Sequence, residues 1–374
     1  MTKKILLMMA GFAVAACTHV APAPPPSPDI QEKVEMKAAQ DLLDQGNFHE
    51  ALESFSAFQK RHPQSHFYQA ADLGQAEAWA GLAHWTEAAA LYRNVYLRTV
   101  KDEPAIAAKA VYELSFAYEA LGDELKTVGT LLDARKMKSY LPPEAALAEI
   151  PARLAMIYGK VDQEGPSLAY LKEADQGLDQ VMKMKHTDLD KSWLAKTYFQ
   201  MGSVSTNQLS VETFAAFARG QKAVQVYLIR DLQLQDPVWS QKALLHLKAT
   251  YGELYNTMMD MPLMTGIEST VALRMKKEQQ VELGSELIDL VNQANLYKPL
   301  PSQAMNTLQT DFYGYLNEIQ KNTEKLLYSG GEGLGLTRES LELNGLKRRG
   351  HIRDAPALPM ALPVKIVPSE DPNL

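Results

Sequence analysis

Cys17 is the only cysteine among 374 residues, so its chemistry is that of a single sulfur nucleophile, with no disulfide and no thiolate cluster within the chain. The eight histidines are scattered. His62 and His66 stand four apart, the spacing at which a helix lets two imidazoles share a metal, but Pro63 lies between them and marks a turn. Exposed turn histidines are expected there, and no metal site. Gly330, Gly331, Gly333 and Gly335 could cradle a phosphate, yet they follow a helical pattern and no Lys-Ser or Lys-Thr comes after them. A flexible hinge is the expected role. Met258, Met259, Met261 and Met264 offer thioethers of the kind that hold Cu(I), although methionine as filler beneath a loop, or as an adaptable partner surface, is the expected use. Lys347, Arg348 and Arg349 with Arg353 could touch anionic lipid or peptidoglycan, but read first as a solvated charge run. No nucleophile elbow is present, and no catalytic residue, metal or cofactor is expected apart from a lipid.

The residues before Cys17 say what that sulfur is for. Lys3 and Lys4 precede an apolar run over 5–13, the length of a signal-peptide core and too short to cross a bilayer. The run ends in Val14-Ala15-Ala16-Cys17, which resembles a bacterial lipobox. That resemblance implies a lipoprotein signal peptide over 1–16, cleavage before Cys17, a diacylglycerol in thioether linkage, and acylation of the new amine. Each buried methylene contributes about 0.8 kcal/mol, so two or three chains hold a protein on a membrane where one does not. An ordinary signal peptide cut at the same residues would leave Cys17 an idle thiol, a liability in an oxidising compartment. Thr18, where an Asp is absent, resembles lipoproteins sorted to the outer membrane in enteric bacteria. The expected location is therefore the cell envelope, on the outer membrane and facing the periplasm.

Both ends of the chain are proline-rich. Five prolines over 20–28 favour an extended stalk, 17–29, and a Gly/Pro-rich tail over 329–374 holds Pro356, Pro359, Pro363, Pro368 and Pro372. The tail has few large apolar groups in helical register and is expected to stay flexible. The net charge of −7 disfavours nucleic acid or anionic lipid as the main electrostatic partner.

Between the ends the chain repeats. Ala38, Ala39 and Leu42 are followed by Gly46-Asn47-Phe48, Ala51, Phe55, Phe58 and Pro63. Small residues at Ala39 and Ala51 let two helices approach, Gly46 turns between them, Phe48 and Phe55 fill the sides, and Pro63 stops the second helix. A second copy has Ala76, Trp79, Trp85, Ala88 and Tyr92, with Ala83 in place of the turn glycine. A third has Leu114, Ser115, Tyr118, Gly122-Asp123, Leu131 and Ala134, with Thr127 for the small alanine. A degraded fourth hairpin runs from Leu147, Leu154 and Tyr158 through Leu168, Leu171 and Ala174. This frame resembles tetratricopeptide repeats, and with the lipobox and stalk it is similar in layout to envelope lipoproteins of barrel assembly and pilus biogenesis.

Further apolar stripes at spacings of three and four begin at Trp193, Phe214, Trp239, Val271 and Met305. The fold expected is all-α: a tetratricopeptide-like α-solenoid of helical hairpins over 30–185, then a more irregular helical half over 186–328 that forms further repeats or a bundle. The resemblance also implies a groove lined by the first helix of each hairpin. Its residues would be Lys33, Met36, Gln40 and Leu43, then Ala70, Leu73, Glu77 and Ala80, then Lys109, Tyr112, Phe116 and Glu119, with Tyr112 and Phe116 as anchors. The function expected is a membrane-anchored scaffold or adaptor that binds other envelope proteins in assembling an outer-membrane complex. The alternative from another class is an envelope enzyme, or the regulatory arm of a peptidoglycan-active enzyme.

Overall fold

A computed structural model of the chain describes residues 28–185, 189–205 and 208–333. The leader, Cys17, the stalk up to residue 27, and the tail from 334 with its basic cluster all lie outside the described residues. Among the described residues every regular element is helical. Helices α1 (Pro28–Asp44), α2 (Phe48–Arg61) and α3 (Tyr68–Gly81) fall in a unit ending at His84, and α4 (Trp85–Thr99) opens a second. That second unit continues with α5 (Pro104–Ala120), α6 (Glu124–Lys136), α7 (Ile150–Lys160), α8 (Glu164–Lys185) and α9 (Lys191–Gly202). It closes with α10 (Phe214–Leu234), α11 (Trp239–Met259), α12 (Ser269–Asn295) and α13 (Thr307–Gly333). Pro28, expected in the stalk, is the first residue of α1, where a missing N–H costs nothing. Gly330, Gly331 and Gly333, expected as a hinge, lie within α13.

The repeat is written in the helix ends. Gly46, Ala83, Gly122 and Asp162, spaced 37, 39 and 40 residues apart, all take a positive φ, between 56° and 77°. Each sits in the same pair of hydrogen bonds. The N–H of Gly46 donates to Leu43 O and that of Asn47 to Leu42 O, and the N–H groups of Ala83 and His84 donate likewise to Ala80 O and Trp79 O. Gly122 with Asp123, and Asp162 with Gln163, repeat the pattern onto Glu119 and Tyr118, and onto Gly159 and Tyr158. This is a Schellman cap, which satisfies the last carbonyls of the helix it ends; at Gly46, Gly122 and Asp162 it leads into a helix that packs back on the first. Glycine fits it freely, whereas Ala83 and Asp162 adopt it against a steric cost. The fold is all-α and tetratricopeptide-like, built of antiparallel helical hairpins.

In the first unit Ala39, Leu43, Ala51, Phe55 and Phe58 form the core with Ala71 and Ala78. The Phe55 ring lies on Gly74 and the Phe48 ring on Gly81, places where a Cβ would overlap the ring. Two glycines seven residues apart thus seat the two rings of α2 along α3. His62 departs from its expected exposure. It is half-buried, with Nε2 3.1 Å from Glu35 and Nδ1 3.7 Å from Glu32, while the Ser65 hydroxyl donates to Glu32 at 2.6 Å.

In the second unit α4 packs on α5, α5 on α6, and α7 on α8. A π-helical turn, Ala145–Glu149, leads into α7, where the Ile150 N–H donates to Ala145 O. Pro151 follows. Lacking an N–H, it leaves the Leu147 carbonyl without its helical donor. Gly177 of α8 packs against that carbonyl so closely that a Cβ would overlap the oxygen. The close α7–α8 crossing therefore depends on a glycine facing a proline-relaxed turn.

The core made by Ala148, Ala152, Ala155, Leu171, Leu178, Leu194, Tyr198, Val224 and Tyr227 runs from α7 through α10. Packing is continuous across residue 185, where a division between repeats and bundle was expected. Helices α10 to α13 share a further core around Phe214, Leu232, Leu247, Leu287, Val291 and Phe312. Val271, from which an apolar helical stripe was expected to begin, lies in α12 and is exposed.

The α10–α11 corner holds a buried acid. Gln235 is left-handed, Pro237 follows, and the Ser240 hydroxyl donates to Asp231 Oδ1 at 2.7 Å. Burial, with the charge of Asp236 nearby, pushes Asp231 up to about 7 against the lowering effect of Ser240. Its Oδ2 has no donor. A carboxyl raised on folding binds more protons folded than unfolded, so stability falls as pH rises from its unfolded value toward 7.

Two predictions follow from these contacts. Ala83→Gly relieves the left-handed alanine and raises stability by about 0.5–1 kcal/mol, whereas Gly177→Ala costs at least about 2 kcal/mol, both read from urea melts. Asp231 contributes a decline in stability between pH 4 and 7 of up to about 1.4 kcal/mol per pH unit. Asp231→Asn should flatten that decline; an unchanged slope would place the titrating group elsewhere.

Candidate functional site

Glu149 ends the π turn, and the wider turn sets its carboxylate at the head of α7, facing both α5 and α9. It is almost fully buried and saturated with donors. The Tyr112 hydroxyl and the Trp193 indole N–H each donate to Oε2 at 2.9 Å, and the Lys196 ammonium donates to Oε1 at 2.9 Å. Burial pushes the Glu149 carboxyl up, but the charges of Lys196 and Arg153, with the hydrogen bonds from Lys196 and Tyr112, outweigh it, so it titrates below its ordinary value. Burial and the nearby carboxylate together drive the Tyr112 phenol upward.

One turn further along α7, Arg153 is completely buried. Its Nη1 donates to the Ser115 hydroxyl at 2.7 Å and its Nη2 to the Glu119 carboxylate, while Nε has no hydrogen-bond partner. The guanidinium carbon lies 3.9 Å from the centre of the Phe116 ring and the Lys196 ammonium 4.3 Å from it. Tyr112 meets Phe116 edge to face, with ring centres 5.1 Å apart. Two carboxylates and two cations thus balance around one aromatic pair, joining α5, α7 and α9. Truncating a partner of either buried member, Glu149 or Arg153, leaves an uncompensated buried charge, which costs more than the pair contributes intact. A carboxylate that accepts three hydrogen bonds and is held ionised is arranged for structure rather than for proton transfer.

Four of the expected groove residues come together here, all on α5. Lys109 and Glu119 are exposed, and Tyr112 and Phe116 are half-buried. The Tyr112 hydroxyl is committed to Glu149, so only its ring edge is left to meet a partner. The other eight belong to the first unit. Lys33 is exposed and pairs with Asp29 at 2.8 Å, Gln40 donates to Asp44 at 2.8 Å, and Met36 packs on the core. Ala70, Glu77 and Ala80 are half-buried. Leu43 and Leu73 differ from the rest: both are buried, Leu43 within the core of the first unit, so neither is open to a partner. Sequence reasoning missed Glu149, Arg153, Trp193 and Lys196. The available signal was an acid and a base four apart inside the apolar stretch 145–157, where charges need partners.

A concavity of about 380 Å³ lies among α6, the π turn and α8, away from the Glu149 cluster, where Arg135, Lys138, Glu173, Gln176 and Gln180 line it. Arg135 is held to both Glu173 oxygens, at 3.0 and 2.9 Å. Among the described residues no group of histidine and carboxylate side chains could hold a metal, and no helix is long and apolar enough to cross a membrane.

No family model matches the chain, and no curated protein matches it. Solved structures do. A tetratricopeptide repeat protein from Parabacteroides merdae is 12% identical, covers 85% of this chain and 98% of its own, and superposes with a TM-score of 0.37. Tetratricopeptide-like repeats of a putative kinesin light chain from Podosopora anserina are 18% identical over 61% of this chain and 97% of theirs, with a TM-score of 0.34. The TPR2AB domain of yeast Sti1, solved as a complex with pHSP90, is 13% identical over 81% and 99%, with a TM-score of 0.33. The assignment of the fold rests on the hairpin turns and packing described above.

The cluster makes a sharp prediction. Glu149→Gln should cost about 3 kcal/mol at neutral pH, because the half-buried Lys196 ammonium loses its carboxylate and buried Arg153 keeps only Glu119. Adding Lys196→Met should restore part of that loss. Strictly additive losses in the double-mutant cycle would show that the two groups act independently.

Proposed function

We propose that this chain is a scaffold of the bacterial cell envelope, held to the outer membrane by lipid on Cys17 and facing the periplasm, where it binds other proteins and aids assembly of a membrane complex. The observation that carries this reading is the α5–α7–α9 arrangement. A fixed polar floor of Glu149, Arg153 and Lys196 holds Phe116 and the Tyr112 ring edge in place beside exposed Lys109 and Glu119. Rings immobilised before binding present large contact area at little entropic cost, which is what an extended or helical segment of a partner protein needs. The lipobox-like residues supply the anchor, and the stalk supplies reach.

Two variants test the two halves separately. Cys17→Ser should abolish incorporation of labelled palmitate and release the protein from the membrane; label on the serine variant would sink the anchor. Lys109→Glu/Phe116→Ala changes what the face offers and leaves Glu149 and Arg153 in place. It should keep its helicity and lose, in a pull-down from detergent-solubilised envelopes, a stoichiometric partner that the wild type retains. Undiminished capture by the folded variant would move the binding face elsewhere.

A further inference from the structure

The chain between α6 and the π turn passes through a short 3-10 turn, Lys138–Tyr140, and then Pro142 and Pro143. Helix α6 packs on α5 and α7, and α8 on α7 and the π turn, so α6 and α8 face each other across the concavity of about 380 Å³ instead of packing together. Small-molecule sites occupy about 300–1,000 Å³, and a cleft at the lower end of that range suits a ligand of dipeptide size. Its floor is apolar, from Ala146 and Leu147, and Gly177, where a Cβ would overlap Leu147, leaves that floor uncovered. The walls carry polar groups of two kinds. On α8, Glu173, Gln176 and Gln180 share one face at spacings of three and four. Both carboxamides are exposed, and neither is bonded to another side chain among the described residues. From the other side Arg135 spans the cleft. Its Nε donates to Glu173 at 3.3 Å and its Nη2 at 3.0 and 2.9 Å, and its guanidinium lies 5.6 Å from the centre of the Tyr170 ring. That grip orients the guanidinium and leaves Nη1 unengaged. The exposed Lys138 ammonium has no ion-pair partner among the described residues. Glu173 offsets one of the two cations, so the wall keeps one positive charge in a chain that is acidic as a whole.

We propose that this cleft binds a carboxylate joined to a peptide group, the chemistry of a short acylated peptide or of the carboxyl end of a longer chain. The carboxylate accepts from the Lys138 ammonium and from Arg135 Nη1, the two donors that the protein leaves unused, in charge-assisted bonds. The carboxamides of Gln176 and Gln180 each offer a donor and an acceptor, which match the C=O and N–H of the adjoining peptide group. A small side chain on the ligand then rests on Ala146 and Leu147. The same groups disfavour other ligands. An inorganic anion has no donor for the two glutamine oxygens and fills only part of the cleft, and a sugar ring finds no free aromatic face, because Tyr170 is engaged by Arg135 and stacked on Tyr158 with ring centres 5.6 Å apart. Since the Arg135–Glu173 pair is itself half-exposed, at 43% and 41%, it holds the guanidinium in position without locking it away from a ligand. The site is separate from the Phe116 face, and neither needs the other.

Ligand-observed nuclear magnetic resonance with N-acetyl-alanyl-alanine as the probe tests this on the purified chain. Saturable binding with a Kd of about 1 mM or tighter is expected for a ligand of this size. Amidating the probe's carboxylate should weaken binding about tenfold or more, and Lys138→Glu should do the same with an unchanged melting curve, whereas Lys138→Arg should stay within about threefold of wild type. Gln176→Ala/Gln180→Ala should weaken it about three- to tenfold. A longer peptide with the same two terminal residues separates the sources: binding equal to the short probe's admits the end of a chain, and binding by the short probe alone restricts the site to free peptides. Absence of saturable binding, equal binding of the amidated probe, or displacement by inorganic phosphate at the probe's own concentration would overturn the proposal. Lys109→Glu/Phe116→Ala should bind the probe as wild type does, so loss of a protein partner at that face and loss of the probe at this cleft are read independently. Loss of probe binding in that variant while it stays folded would place the site elsewhere.

Discussion

The ionised carboxylate of Glu149, buried among Tyr112, Trp193, Lys196 and Arg153, is the interaction on which the α5–α9 region turns. An acid removed from water is tolerated only where donors and cations replace its hydration. Here they come from three helices, so the demand of a single charge fixes α5, α7 and α9 against one another. The same demand explains the irregularity beside it. The π turn over Ala145–Glu149 and Pro151 break the regular ladder just where Glu149 must be placed, and the missing side chain of Gly177 leaves room for the Leu147 carbonyl there. π turns recur at functional sites because they redirect side chains in this way.

Apolar packing alone would give helical hairpins without choosing between neighbouring arrangements of them. The Schellman turns set the polarity of each hairpin, and the small residues at Ala39, Ala51, Gly74 and Gly81 let helices approach in the first unit. In the second unit the polar cluster adds directionality, since hydrogen bonds tolerate little sliding. The face presented by Phe116, Lys109 and Glu119 then follows from the floor beneath it. A stiff floor is what a binding scaffold requires, because side chains fixed in advance lose little entropy when a partner arrives.

How far the sequence carried the reading can be judged residue by residue. The turns at Gly46 and Gly122 were legible because glycine advertises a positive φ. The equivalent turn at Asp162 gave no such sign, because a non-glycine in that conformation is recognisable only from its spacing or its backbone. Small residues and ring positions marked the hairpins, and apolar stripes marked α9 to α13. The site was less legible. The hydroxyl partner of Tyr112 lies 37 residues away at Glu149, and no local pattern links two such positions. Leu43 and Leu73 were assigned to a surface by repeat position, but repeat position does not say which neighbour covers a side chain. Val271 marked the start of a helical stripe, but periodicity identifies an apolar residue without showing whether the protein itself buries it.

The central claim is that one buried carboxylate couples three helices, and amide hydrogen exchange followed by mass spectrometry tests it most directly. If the account is right, α5, α7 and α9 open together in the native protein, and neutralising Glu149 lowers their protection as a group while α10 to α13 keep theirs. Independent opening of the three helices, or a loss of protection confined to α9, would contradict it.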